Sequence, residues 1–363
     1  MWLESMNDPR AAKARCNFGL GAILSFNVRA RRNIIGAPTV TNMPHSAALP
    51  HADVSVVVPS YNHARFVEKC LRSIFSQTLR PRELLVIDDG SKDESPRIIE
   101  RVLRAAPIAC ELIVRPNRGL AATLNEGLAR TRGAYFAYLG SDDLWLADFL
   151  ATRVAQLEAR PRAVLAYGHA YSIDATERII DCTTDWARYV DGDARAMLLT
   201  TLAPLSPTVV YRRAALPAPA WNEQARLEDY ELYLRLSATG EFAFDVRVLS
   251  AWRQHDSNAS QNLTMMLAER LAAQQRAAET LGLSARELAG AQALARFRSA
   301  QEFMRQGYKR TALRLWLANP RGAPSTAEAA RLVAGLALPH AWLRRRKQRL
   351  RQQATARYGA LPL

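Results

Sequence analysis

A run of β-branched residues, Val54–Val58, is cut short by Pro59-Ser60-Tyr61-Asn62 and followed at once by a helical repeat. A strand apolar on both sides must be covered on both sides, which is the position of a central strand in a helix-flanked parallel sheet. From Ala64 to Gln77 the apolar Phe66, Val67, Cys70, Leu71, Ile74 and Phe75 recur at helical spacing, with Arg65, Lys69 and Arg72 opposite them. The pattern then repeats. Pro81 stops the first helical stretch, and Glu83–Ile87 predicts a second strand. Pro96–Leu103 predicts a helix with Asp93 or Ser95 near its start, and Cys110–Val114 a third strand. Leu120–Arg130 predicts a helix and Ala134–Leu139 a fourth strand. This alternation implies an α/β fold built on a doubly wound, mostly parallel sheet.

Beyond a helix at Ala147–Ala159 and a strand at Ala163–Tyr171 the rhythm loosens. Asp193–Thr201 and Glu228–Ser237 are expected as helices, Thr208–Tyr211 as a strand, and Phe242–Trp252 as one or two strands. From about Leu263 β signals vanish, and Met265–Leu281, Ala285–Arg305, Lys309–Ala318 and Thr326–Ala337 carry helical patterning. The expected organisation is a poorly ordered basic extension over 1–50, an α/β domain over 51–262, a helical appendage over 263–340 and a basic tail over 341–363. Met43, just before the first convincing strand, is a candidate native start; a disordered basic arm is the other reading of this extension.

Charge separates these regions. Net charge is +15, yet residues 1–50 contribute +4 and 341–363 contribute +7, leaving +4 for the 290 residues between. An excess confined to the ends gives the body no nucleic-acid footprint, so no nucleic-acid partner is expected. In the last segment Trp342, Leu343 and Leu350 lie among Arg344, Arg345, Arg346, Lys347, Arg349 and Arg351, the pattern of a basic interfacial helix suited to an anionic membrane surface; a solvated basic tail fits it too. No apolar run reaches the ~18–20 residues of a membrane span. Cys16, Cys70, Cys110 and Cys182 form no C-x-x-C pair, which argues against a zinc site or a disulfide framework and fits a reducing compartment. The expected location is cytoplasmic, with peripheral attachment to the inner membrane face.

In an open parallel sheet ligands bind at the carboxyl ends of the strands. Polar clusters follow each of the first four expected strands: Pro59–Asn62, Asp88-Asp89-Gly90-Ser91, Arg115–Gly119 and Ser141-Asp142-Asp143. Each alone is compatible with a solvated turn. Their convergence on one rim points to a ligand site.

The motifs V-S-V-V-V-P-S-Y-N, L-L-V-I-D-D-G-S-K-D, N-R-G-L-A-A-T-L-N-E-G and Y-L-G-S-D-D-L-W resemble those of the family 2 glycosyltransferases with the GT-A fold. L-E-D-Y-E-L-Y-L-R-L and W-R-Q-H-D-S-N-A-S are similar to that family's later motifs. The resemblance covers roughly Asp53 to Gln261. It implies inverting transfer of a sugar from a nucleotide-diphosphate sugar to a hydroxyl of a glycan or lipid-linked acceptor, as in cell-surface polysaccharide synthesis.

A diphosphate leaving group gains negative charge as the sugar–oxygen bond breaks, and a divalent cation held by carboxylates, Mn2+ or Mg2+, offsets it. The resemblance implies Asp143 as the direct metal ligand, with Asp142 toward the ribose or the metal, and His255 completing the metal shell or touching the diphosphate. Many relatives carry an aspartate two residues before Asp142, where this chain has Gly140. Pro59, Tyr61, Asn62 and Asp89 are the expected nucleotide pocket, with a base stacked on Tyr61 and its imide bonded to Asp89, which favours uridine or thymidine donors. Asp88 reads as a structural acceptor, while Arg118 and Arg253 are candidates to approach phosphate. Glu228-Asp229 occupies the family's E-D position, which makes Asp229 the expected general base and Glu228 its neighbour in acceptor binding. Helix-capping is the plainer reading of both acidic doublets.

Other classes fit less well. A nicotinamide dehydrogenase needs G-x-G-x-x-G where P-S-Y-N-H-A stands, and the G-x-x-x-x-G-K-[ST] of P-loop enzymes is absent. A sugar nucleotidyltransferase needs a Gly-rich opening loop, also missing. The remaining rival is a non-catalytic sugar-nucleotide-binding module, against which the joint presence of Asp142, Asp143 and Asp229 speaks.

Overall fold

The computed structural model describes residues 51–255 and 261–361; the extension over 1–50, Met43 and Cys16 lie outside the described residues. The first four strands are β1 (His51–Ser60), β2 (Arg80–Asp88), β3 (Ala109–Val114) and β4 (Tyr135–Tyr138). They alternate with α1 (Val67–Phe75), α2 (Ser95–Leu103) and α3 (Leu120–Arg130), as the periodicity predicts. These strands pair in parallel in the order β3-β2-β1-β4. The expected double covering is visible in β1 and β2. Val54, Val56, Val58, Leu84 and Val86 enter one core with Leu71 and Ile74 of α1 and Ile99 of α2. Val57, Leu85 and Ile87 enter the other core with Leu124 of α3. Successive strand residues therefore face opposite layers, each fully buried side chain of this size contributing ~1.5–3 kcal/mol.

Past β4 the sheet continues with mixed pairing. A two-residue β5 (Leu144–Trp145) precedes α4 (Phe149–Ala159), and the long β6 (Ala163–Ile173) turns into β7 (Ile179–Cys182). After α5 (Arg195–Leu199), β8 (Val210–Arg212) inserts antiparallel between β4 and β6. The next elements are α6 (Glu228–Ser237) and β9 (Glu241–Arg253), which runs parallel to β6 and pairs antiparallel with β5. Parallel pairings are the longer ones, so the sheet is mostly parallel by length although its far half changes direction. The strand expected at Thr208–Tyr211 starts later, because Pro207 opens a single 3-10 turn over Ser206–Thr208.

The rest is helical: α7 (Leu263–Ala277), α8 (Ala285–Arg305), α9 (Lys309–Leu317), α10 (Thr326–Ala337) and α11 (His340–Tyr358). Ser284 and Glu287 close a capping box at the start of α8. Ala273 and Ala277 of α7 enter the same core as α6, and Gln274 donates to the Tyr230 hydroxyl at 3.1 Å. The C-terminal basic stretch is a helix whose end docks on β7: Ala354 is buried, Thr355 donates to Ile179 O at 2.6 Å, and Tyr358 stacks edge-on to Tyr171. No described helix is long and apolar enough to cross a membrane. Cys70 and Cys182 are buried and Cys110 half-buried, all as free thiols.

Candidate active site

The four polar clusters do meet at the carboxyl ends of β1 to β4. At β2 the chain must turn sharply, and Gly90 takes φ +81°, where an added Cβ would sit 2.8 Å from Asn117 N. The turn is held by Asp88, whose two carboxylate oxygens accept from the Ser91 amide at 2.9 Å and the Ser91 hydroxyl at 2.7 Å. Asp89 is buried and serves the neighbouring loop. It accepts from the amides of Arg118 at 2.9 Å and Gly119 at 2.8 Å and from the Arg115 guanidinium. The carboxylate expected to meet a base therefore already carries three donors. Asn62 is left-handed at φ +56° and ties the β1 loop to the β2 loop, its side-chain oxygen accepting from Lys92 N at 2.7 Å. Tyr61 is 47% exposed, so its ring is available at the rim beside Pro59. Arg118 points outward toward Glu126, 3.6 Å away.

At the end of β4 the structure gathers His63, Asp142 and His255, whose candidate ligand atoms lie within 4.8 Å of one another. His255 Nε2 sits 2.9 Å from Asp142 Oδ2, and His63 Nδ1 sits 3.7 Å from Asp142 Oδ1 and 2.8 Å from Ser141 Oγ. Two imidazole nitrogens and a carboxylate oxygen form a donor set able to hold a divalent cation. Burial lowers the His63 pKa, which favours the neutral, ligating form. Burial alone would raise Asp142, but the His255 hydrogen bond and the two imidazoles hold it below the usual carboxylate range. Asp143 stands differently. Burial, then the charge of Asp142, push its carboxyl well above that range, and its Oδ1 accepts the Arg253 amide at 2.8 Å. A Cβ on Gly140 would lie 2.9 Å from Asp142 Oδ1 and 3.2 Å from Asp143 Oδ2, so glycine leaves room for both carboxyl groups.

Arg253, at the end of β9, is buried under Phe66. Its Nε donates to Asp142 O at 2.7 Å and its Nη1 to Asp174 O at 3.2 Å, so the guanidinium braces the cluster from behind. His63 carries no sequence signal beyond one histidine after P-S-Y-N, because its partners lie far along the chain. Sequence reasoning omitted it.

The second acidic pair opens α6. Tyr138 of β4 donates to Asp229 Oδ2, and Trp221 Nε1 approaches Oδ1 at 3.4 Å. Burial raises the Asp229 carboxyl to about 6 even though Tyr138, Trp221 and Ser206 stabilise its charge. Burial and the Asp229 charge raise Glu228 to about 8. One proton shared across such a pair leaves Asp229 the readier acceptor near neutrality. β4 thus joins both sites: Tyr138 reaches the α6 pair, and four residues later Asp142 enters the histidine cluster.

Residues 55–216 match the family model described as glycosyl transferase family 2. An uncharacterized glycosyltransferase of Nostoc sp. is 28% identical over 167 residues, 45% of this chain and 52% of that protein. Chondroitin synthase of Escherichia coli is 26% identical over 208 residues, 57% of this chain and 30% of that protein. The match therefore spans about a third to a half of these relatives' own length. A mannosyltransferase of Pyrobaculum calidifontis, solved with GDP-Man and Mn2+, superposes with a TM-score of 0.56 at 19% identity, covering 86% of this chain and 89% of that one. S. aureus TarS 1–349, solved with UDP-GlcNAc, gives 0.54 at 15% identity, covering 84% and 91%. At such identity these two structures speak to the fold alone.

Proposed function

We propose that this chain, whose fold is of the GT-A type and whose residues 55–216 match the family 2 glycosyltransferase model, transfers a sugar from a nucleotide-diphosphate sugar to a hydroxyl of a glycan or lipid-linked acceptor, with inversion. The observation that carries the reading is the double use of β4, whose end joins a His63–Asp142–His255 cluster able to hold a cation to a carboxylate raised toward neutrality at Asp229. A divalent cation held there, for which two imidazoles favour Mn2+ over the oxygen-seeking Mg2+, would offset the growing charge of the diphosphate. The chain's own groups do the rest. Tyr61 offers a face to a pyrimidine base, which makes a UDP- or dTDP-linked donor the favoured class, and Asp89 keeps the 115–119 loop beside it in shape. Asp229 takes the acceptor's proton as that oxygen attacks the anomeric carbon. Glu228, protonated beside it, is a hydrogen-bond donor for the acceptor.

We assign transfer to residues 51–262 and attachment to the far end. Arg344, Arg345, Arg346, Lys347, Arg349 and Arg351 of α11 are all exposed, as are Trp342 and Leu350. At about 1 kcal/mol per basic residue near an anionic surface, this helix would hold the protein reversibly on the inner membrane face. The deciding experiment is a screen of UDP-, dTDP- and GDP-sugars for hydrolysis and transfer with Mn2+ or Mg2+, with the anomeric configuration of the product read by NMR. Inversion from a pyrimidine-linked donor is expected. A protein that binds the nucleotide yet turns over no donor, or a product of retained configuration, would overturn the reading. Sedimentation with phosphatidylserine vesicles tests the attachment; equal binding by a form with these six basic residues changed to Gln would count against it.

A further inference from the structure

A general base needs more than a suitable pKa. Its lone pair must meet the acceptor proton within a narrow cone, and a carboxylate on a free side chain rotates out of it. Asp229 sits in the first turn of α6, where Leu227 offers no side-chain cap. Its orientation is set instead from other elements. The Tyr138 hydroxyl donates to Oδ2 from β4, and Trp221 Nε1 approaches the other oxygen, Oδ1, at 3.4 Å. With a donor on each oxygen, rotation of the carboxylate breaks at least one bond.

Ser206 also stabilises this charge, and the two donors on the oxygens, Tyr138 and Trp221, are themselves fixed. Trp221 is 1% exposed, with its ring centroid 6.0 Å from those of Tyr138 and Tyr211 and 5.6 Å from that of Phe136. Its backbone is gripped by Asn125 of α3, whose side-chain oxygen accepts from Trp221 N at 3.0 Å and whose side-chain nitrogen donates to Trp221 O at 2.8 Å. Tyr138 is buried, and burial together with the Asp229 charge raises its phenol well above the usual value, so it stays a donor. The other titratable groups facing this carboxylate are Tyr211 of β8, Tyr233 of α6 and Glu228, with Glu269 of α7 facing Glu228. The hydroxyls of Tyr211 and Tyr233 meet each other at 3.4 Å. Among the described residues Glu228 receives no side-chain donor, so the clamp singles out one member of the pair.

We infer that Tyr138 is a positioning residue for transfer: its hydroxyl, backed by the Asn125-held Trp221, fixes the Asp229 carboxylate for proton abstraction. The inference rests on the reading of Asp229 as base, and it selects a hydroxyl rather than a ring. Phenylalanine would fill the same core and lose only the donor.

The test is Tyr138→Phe, with Trp221→Phe as a second variant. A donor that favours the charged carboxylate, once removed, lets the carboxyl pKa rise. The acidic limb of the pH–rate profile of kcat should therefore move up by about one unit. Near pH 6.5 kcat should fall about 10- to 100-fold and recover in part at higher pH, while the nucleotide Kd and the donor KM stay within about twofold. Trp221→Phe, losing a longer bond, should shift the limb less. The Asp229 carboxyl titration, followed by 13C NMR of aspartate-labelled protein, should move the same way without any turnover. An unmoved limb and an unmoved 13C titration in Tyr138→Phe would overturn the positioning role even if kcat fell. A shifted 13C titration in a protein whose wild type transfers no sugar would overturn the transferase reading and leave the clamp standing.

Discussion

Two acidic doublets stand at the working edge of this protein, and in the sequence they look alike. Asp142-Asp143 follows β4 and Glu228-Asp229 opens α6; in the first, Asp142 is held below the usual carboxylate range while Asp143 is pushed well above it, and in the second burial raises both, Asp229 to about 6 and Glu228 further, to about 8. What differs is who faces them. Asp142 meets two imidazoles, whose lone pairs join its own in a set of ligands. Asp229 meets a phenol and an indole N–H, which have protons to donate and no strong lone pair to offer. The first surrounding suits a cation and the second a moving proton. The lesson is that an acidic pair takes its chemistry from residues brought in by other elements, not from its own spelling.

If the contrast is right, the doublets should fail in different observables. The largest effect is expected for Asp229→Asn, which keeps shape and removes the proton acceptor: turnover falls ~10²–10⁴-fold while calorimetry gives an unchanged nucleotide affinity. A comparable loss of nucleotide binding would erase the distinction. Next comes Asp142→Asn, expected to weaken Mn2+ binding about 10- to 100-fold in electron paramagnetic resonance titrations, with His63→Ala close behind. Asp143→Asn sharpens the comparison, because loss of Mn2+ there, with Asp142→Asn spared, would exchange the roles within that doublet. The smallest effect concerns stability. Glu228 has its pKa raised on folding, so its contribution is fully present below its unfolded value and is lost as pH rises toward about 8. Glu228→Gln escapes that loss. Its Tm relative to the wild type should climb between pH 5 and pH 8, by ~2–4 °C for each kcal/mol involved, and a difference flat with pH would refute the strained acid.

Much of this was legible beforehand because it is local. Helices α3, α6, α8 and α10 begin and end where their periodicity and punctuation place them. The rim at β1 to β4 follows from breakers after buried runs. Features set by distant partners were not legible. The two residues of β5 have no period of their own and exist because β9 runs past them. β7 forms against β6 with no period of its own, and although a strand is expected near Thr208–Tyr211, nothing nearby announces that β8 runs antiparallel between β4 and β6. At the site, Asp142 and His255 carried a signal and His63 did not, since one histidine on a loop says nothing until the fold brings it within 3.7 Å of Asp142. The three donors on Asp89 and the inward turn of Arg253 were hidden for the same reason: long polar side chains choose partners across the molecule.

The docking of α11 on β7 also bears on how the protein is made. Thr355 and its acceptor Ile179 are 176 residues apart in the chain. At ~5–20 residues per second of ribosomal synthesis, roughly ten to thirty-five seconds pass between their appearances. For that interval β7, paired only with β6 among the described strands, presents a naked strand edge to whatever else is nascent nearby. The helix arrives as a late shutter, and a translation-arrest force assay should register its closing only once Thr355 has cleared the exit tunnel.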